Sequence, residues 1–536
     1  MKNNRYLITL FLLMFALTNC DKNGLIDNME EIKLISSKNV EFTPDEQKVL
    51  WQMRNPNNKI SIDEAALLAN EVIGFLDEEF ATKSGHSRRI ASVAALLGEK
   101  EKKVATKSTG DNTQVEMPDT LAYLFNFNDD AGYTIIAADT RIESPVLCYT
   151  GSGTLSDSID NPGIALFLEG AEDYIERSII EAEQLRDSLI ADILAKIEET
   201  GVKDTVYIDE NEGATKVAAT PQTAYDPDPQ ITYSYGPWTV ASRVGPLLSV
   251  EWGQGRPFND LVKNKNCASG TTPVGCTAVA TSYILTYWFN KKSVPLTLDG
   301  YAINSNLLCK YTWWPNRYDG AAANDIELSN SEEGKQARNQ VQRLMERIGS
   351  RIGMDYGCEG SGAYPSAALG FLRDMGFKYI IPLNIGFDYS FDLVKSSLDK
   401  EQPVMTVGYS EKITKSILGI TISTSYKKGH TWVMDGYLRM ARQVTATVTT
   451  TAYGTVPLMK VVSNGQPVLI TTTTTSTYTE YSPYYIHNNW GNYFNNGYFV
   501  AGSFDTTKSP DFQSNTKSGV DGNYQFEREI FPNIYY

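Results

Sequence analysis

A helical pattern that opens at Asn161-Pro162 runs to about Thr200 and stops at Gly201; beyond it the chain turns acidic and small, ending in Tyr225-Asp226-Pro227-Asp228-Pro229. Closely spaced prolines fix φ and remove backbone donors, so neither a continuous helix nor a central strand crosses this stretch. The chain is therefore expected to fold as two parts, 41–200 and 231–536, joined by a linker over 201–230. Exposed segments of this kind are where proteases nick a chain, and Lys203 and Lys216 are accessible candidates. At 536 residues the chain amounts to roughly three to four domain equivalents, so each part can bury a core. Hydrophobic residues at 42% and charged residues at 21% exclude a disordered, collagen-like or polytopic membrane protein. The net charge of −16 opposes binding to a phosphate backbone, and nucleic acid is not expected as a partner.

The first residues, MKNNRYLITLFLLMFALTNC, place Lys2 and Arg5 before an apolar run from Leu7 to Leu17. That run is too short to span a bilayer and has the charge order of an export signal. Its end, Leu17-Thr18-Asn19-Cys20, resembles the bacterial lipobox, with Asn19 bulkier than the usual small residue. The expectation is a signal peptide over 1–19, lipidation at Cys20 and a polar tether over 20–40. The protein would then be exported and lipid-anchored to the bacterial cell envelope, at the outer membrane or cell surface, with release after loss of the N-terminal part as one course. A plainly secreted chain is the alternative. Without Cys20 five cysteines remain, an odd number, so at least one thiol stays unpaired within the chain. Three histidines and no Cys-x-x-Cys or His-Glu-x-x-His leave a zinc site almost no ligands; no metal is expected.

Local patterns fill in the two parts. Ser61-Ile62-Asp63-Glu64 has the capping-box form, and Ala65, Leu68, Val72, Phe75 and Leu76 follow at helical spacing. Leu121–Phe127 and Tyr133–Ala138 read as a hairpin. Thr445–Tyr481 is rich in Thr and carries Asn464-Gly465 between β-formers, which predicts a protruding β-hairpin.

The chemistry concentrates in the second part. Gly275-Cys276 precedes a helical pattern in which Ala280, Ile284 and Trp288 share a face. A cysteine at a helix start meets free amide donors and the positive end of the dipole, both of which favour thiolate. The competing reading is a small buried helix residue. A thiolate nucleophile also needs a base that returns the proton to a leaving group, for which imidazole is suited. His430, in Gly429-His430-Thr431-Trp432-Val433-Met434-Asp435-Gly436-Tyr437, starts an alternating strand pattern after a glycine that permits close approach. Asn489, in Asn489-Trp490-Gly491, offers an amide to orient the imidazole beside a shielding indole, completing a Cys-His-Asn set. Gln254, in Trp252-Gly253-Gln254, offers an amide to an oxyanion. Gly360-Ser361-Gly362-Ala363-Tyr364-Pro365 reads as cleft lining, with Ser361 as a contact residue beside Gly429 and Trp490.

At these residues the chain resembles the streptopain family of papain-like cysteine peptidases. The likeness lies in Val244–Leu248 with Trp252–Asn259, Gly275–Ala280, Gly429–Tyr437, and Asn489-Trp490-Gly491 followed by Asn496-Gly497-Tyr498-Phe499, in the family's order. It implies an α+β fold: a papain-like catalytic domain with helices on a twisted antiparallel sheet, preceded by a smaller α+β pro-domain. It further implies a cysteine endopeptidase made as a zymogen, with Cys276 as nucleophile, His430 as base, Asn489 holding His430, and Gln254 with the Cys276 amide at the oxyanion. Protein or peptide substrates follow, and no cofactor. Gly132–Asp139 and Pro145–Tyr149 resemble the family's pro-domain strands, so 41–200 would be an intramolecular inhibitor that blocks the cleft and disturbs the catalytic pair until the linker is cut. In place of the family's Gly-rich continuation, Asn492-Tyr493-Phe494-Asn495 follows the last motif. The 59 residues from His430 to Asn489 exceed what the family leads one to expect.

The competing candidates are weaker. His487 would crowd Asn489, since alternate strand residues share a face. His86 reads as a solvated loop residue, Cys267 as a loop thiol, and Cys309 and Cys358 as core or surface-loop residues, with disulfide pairing left open. Trp313 and Trp314 read as core aromatics rather than a sugar platform, and no Gly-x-Ser-x-Gly elbow supports a serine hydrolase. The alternative of a different class is a catalytically inactive surface-binding lipoprotein of the same fold.

Overall fold

The structure is a computed structural model that describes residues 37–536 apart from 55–56, 80–86, 99–102, 106–113, 143, 157, 160, 202–204, 210–212, 218–219, 226–229, 311–330, 379–386, 411–415, 418–419, 423–428, 456–467, 493–494 and 506–525. The signal segment, Cys20, His86, Lys203, Trp313, Trp314 and the Asn464-Gly465 turn lie outside the described residues. No helix among the described residues is long and apolar enough to cross a membrane.

Alternation of apolar side chains builds one large sheet. Its strands run, in spatial order, Phe387–Asp388, Phe526–Phe531, Val404–Ser410, His430–Thr455, Tyr485–Asn489, Gly497–Val500, Val146–Thr150, Tyr133–Ala137, Thr120–Phe127 and Ile90–Leu97. Every neighbouring pair is antiparallel. Successive strand residues face opposite sides, and both sides are covered here. Trp432 and Met434 join a core with Phe167, Phe499 and Trp490, whereas Val433, Met405 and Val407 join a second core with helix Cys276–Lys292 and helix Glu332–Arg351.

The expected elements of the N-terminal part are present. Ser61 caps helix Ile62–Glu79 by accepting from Glu64 N at 3.2 Å. The 120–137 hairpin forms, and the long helix spans Pro162–Gly201, its first turn capped by Asn161 Oδ1, which accepts from Gly163 N at 2.9 Å. Two separate folding parts were expected, yet 39–198, 230–448 and 474–536 form one compact unit. The reason lies in strand Gly497–Val500, an edge that finds its hydrogen-bond partner in Val146–Thr150 of the N-terminal part. An unpaired edge would leave amides and carbonyls unsatisfied. Tyr498 stacks on Tyr149 at 5.3 Å and Phe167 meets Phe499 at 4.7 Å across the same junction.

A second unit comprises 1–38, 199–229 and 449–473. Within the 201–230 linker Thr205–Asp209 pairs with Gly213–Val217, and Thr220–Tyr225 pairs with the outer residues of the long strand. Its Thr, Val, Ile and Tyr content favours strands, and Pro227 and Pro229 fall beyond them. The tether likewise ends in a strand, Ser37–Asn39, after which Val40 N donates to Thr475 O. The Thr-rich hairpin has arms His430–Thr455 and Val468–Tyr481; the first arm starts at His430 itself, so the hairpin prolongs the strand that carries the candidate base.

Candidate active site

Helix Cys276–Lys292 is buried on nearly every side and begins at the cysteine. Gly275, its N-cap, has φ +90°, and a Cβ there would fall 2.6 Å from the Met354 thioether and 3.0 Å from Ser361 O. Only glycine fits this conformation and this space. The first amides of the helix have no partner one turn back within it, and that is where the Cys276 sulfur sits.

The residues that follow the two candidate catalytic groups lock them together. Thr277 Oγ1 donates to Ala363 O at 3.0 Å and lies 3.2 Å from Thr431 Oγ1. Gly429, at φ +85° and packed against the Tyr409 ring and Gly408 O, turns the chain so that His430 enters its strand buried. Cys276 and His430 are hydrogen-bonded. Burial pushes the thiol up, but the His430 hydrogen bond and charge, with Thr431, outweigh it and bring Cys276 down to about 7. Burial raises the other free thiols, Cys148 and Cys309.

The imidazole is held differently from the expectation. His430 Nε2 lies 2.8 Å from the backbone carbonyl of Trp490. A carbonyl only accepts, so Nε2 carries hydrogen and Nδ1 is left for Cys276. Asn489 does not contact His430 through its side chain: Nδ2 donates to Val250 O at 2.9 Å, and Oδ1 accepts from Gly491 N at 3.3 Å. Gly491 N belongs to the peptide unit whose carbonyl receives His430. Asn489 therefore bears on the imidazole at one remove, by fixing that peptide plane. The His430 ring also stacks on Trp432, and Trp432 packs against Trp490 at 5.1 Å.

The Trp252–Gln254 segment is tied to the helix. Trp252 stacks on Tyr283, whose hydroxyl donates to Trp252 O at 2.6 Å, and Gln254 O accepts from Val274 N two residues before Cys276. Ser361 lies on the other side of Gly275 in a short strand paired with Asp355–Tyr356, and Tyr364 beside it is 82% exposed. Cys267 is not a loop thiol: it forms a disulfide with Cys358, the pairing the sequence left open, and fastens the 358–365 loop to the 254–274 loop. His487 is engaged elsewhere, with Nδ1 2.6 Å from Oδ1 of the buried Asp435. No cluster of His, Cys, Asp and Glu able to hold a metal occurs among the described residues.

The N-terminal part reaches this site at Trp490, where a Cβ on Gly163 would fall 2.2 Å from the indole. Strand Ser158–Ile159 runs parallel to Ile420–Ile422, in the segment that leads to Gly429. With the N-terminal part in place, His430 still lies close enough to the Cys276 thiol to lower it. Sequence reasoning missed the Trp490 carbonyl, because every residue has one, and the Thr277–Thr431 contact, which links positions distant in sequence.

Residues 252–499 match the Peptidase C10 family, and residues 57–175 match the Spi protease inhibitor family. A search of curated proteins found no match. Among solved structures the chain resembles a fragment of Prevotella intermedia prointerpain A, at 19% identity over 81% of this chain and 99% of that one, with a TM-score of 0.38; so loose a likeness carries no argument. The two family matches, in this order within one polypeptide, show a Peptidase C10 (streptopain) family domain, that of a cysteine-type peptidase, preceded by its own inhibitor domain as in a zymogen.

Proposed function

We propose that the protein is an exported cysteine endopeptidase in which Cys276 is the nucleophile and His430 the proton carrier. The observation that carries this reading is the hydrogen-bonded Cys276–His430 pair at a helix start, with the thiol lowered to about 7. The Cys276 thiolate attacks the scissile carbonyl, and the oxyanion forms where the Cys276 amide and the Gln254 side chain donate. His430 gives its proton to the departing amine, leaving a thioester. Water, deprotonated by His430, then attacks the thioester and releases the acid and the thiolate. Asn489 steadies the peptide that holds His430. The 41–200 region inhibits by covering the site, and a cut in 201–230 begins activation. Cys20 carries the lipid that anchors the chain to the cell envelope, a reading supported by the Leu17–Cys20 pattern.

The test is labelling by a thiol-directed peptidyl epoxide, followed by mass spectrometry, on the intact protein and on protein cut in the linker and stripped of its N-terminal fragment, with Cys276→Ala as control. Stoichiometric labelling of Cys276 only after the pro-domain is removed is expected. Labelling of Cys309, or none, would reject the mechanism in favour of an inactive binding protein. Palmitate incorporation lost in Cys20→Ser tests the anchor.

A further inference from the structure

Two amide side chains hold the residue that holds His430. Asn489 Oδ1 takes Gly491 N, on the C-terminal peptide of Trp490, and Asn496 Oδ1 takes Trp490 N, on the N-terminal one, at 3.0 Å. Asn496 is 4% exposed and lies directly before strand Gly497–Val500. That strand pairs with Tyr485–Asn489 through Asn488↔Gly497, so the backbone carrying Asn496 is fixed independently of Trp490. Gly491 between the two amides has φ +67° and packs on Val279 of the Cys276 helix. Glycine, with no Cβ, restrains its own dihedrals little, so the direction of the Trp490 carbonyl depends on side chains that pin its neighbouring amides. The 2.8 Å bond to Nε2 tolerates little rotation before its geometry fails.

From this we infer that Asn496 is a positioning residue for His430, acting through the Trp490 backbone and working as the partner of Asn489. It touches neither substrate nor Cys276. The inference rests on the Cys276–His430 pairing proposed above. Losing the Asn496 bond lets the Trp490 peptide turn, frees the imidazole, and removes the contact that favours thiolate at Cys276.

The full chain, uncut, suffices for the test, because Cys276 keeps part of its surface exposed and a small alkylating agent needs no open cleft. The rate of iodoacetamide modification at Cys276, located by peptide mapping, is measured against pH for wild type, Asn496→Ala and Asn496→Asp, with a thermal melt for each. Wild type should show its inflection near 7. Asn496→Ala should move it up towards the ordinary thiol value of about 8.5, while Asn496→Asp, which keeps an acceptor for Trp490 N, should restore the wild-type profile. A purely structural role would lower the melting temperature and leave the inflection in place. Should Asn496→Ala not fold, Asn496→Ser, whose shorter hydroxyl cannot span to Trp490 N, takes its place. A folded Ala or Ser variant with the wild-type inflection overturns the inference alone. A wild-type inflection near the ordinary thiol value overturns the Cys276–His430 reading, and this inference with it.

Discussion

At the scale of single residues the two strand histidines divide cleanly, because each has a partner of a different kind. His430 has Cys276 on one side and the neutral Trp490 carbonyl on the other. His487 faces the buried Asp435 carboxylate, whose second oxygen accepts from Leu248 N at 3.0 Å. That is a structural bond. Replacing His430 by Ala should lower kcat of the enzyme freed of its N-terminal fragment on a peptide substrate by roughly 10³-fold. His487→Ala should keep kcat but lose about 2 kcal/mol of stability, the worth of a hydrogen bond to a charged group, read as a fall in denaturation midpoint. Equal loss of activity in folded forms of both variants would undo the division. Gly275→Ala belongs with them: its Cβ would strike Met354 and Ser361 O, and alkylation of Cys276 at neutral pH should slow.

Between elements, the disulfide decides how firmly the loops flanking the nucleophile are joined. Cys267 and Cys358 are 91 residues apart, and closing a loop of that length removes chain entropy worth at most about 4–5 kcal/mol. The double variant Cys267→Ser with Cys358→Ser should therefore melt well below wild type while retaining the Cys276–His430 hydrogen bond, which other contacts hold. An unchanged melting temperature would mean that packing alone fixes both loops. The disulfide also marks where sequence reading ended: an odd set of cysteines signalled a free thiol, but pairing depends on loops brought together in space. Helix starts and strands were legible because caps and periodicity are local, as Ser61, Asn161 and the alternation after Gly429 show. The set Cys276, His430 and Asn489 was legible as residue types in order. The acceptor of His430 was not, since a backbone carbonyl leaves no mark in sequence, and the strands at 205–225 were hidden by the neighbouring prolines and acidic residues.

In the whole molecule the inhibitor region and the peptidase region share one sheet, so cutting the linker does not by itself separate them. Strand Val146–Thr150 stays hydrogen-bonded to Gly497–Val500, and Arg177 still donates to the carbonyls of Gly502 and Asp505. Removal must break the strand pairing and uncover Tyr149, Phe167 and Phe499, all buried. Inhibition should accordingly persist after a clean cut and end only when the N-terminal fragment is itself degraded. The contact that tests this is Gly163, whose missing side chain lets the long helix sit on Trp490. Gly163→Val places methyl groups where the indole lies, and overpacking of this kind costs about 1–3 kcal/mol. The change is on the inhibitor side, so the peptidase region keeps its own residues. With a protease site engineered into the linker, the cut wild-type protein should elute as one complex with low activity. The cut Gly163→Val protein should show inhibition weaker by about 5- to 150-fold, since each 1.4 kcal/mol is a factor of ten. If the wild-type fragments separate on cutting, the shared sheet does not hold the inhibitor in place; if Gly163→Val inhibits as tightly as wild type, the helix does not act through Trp490.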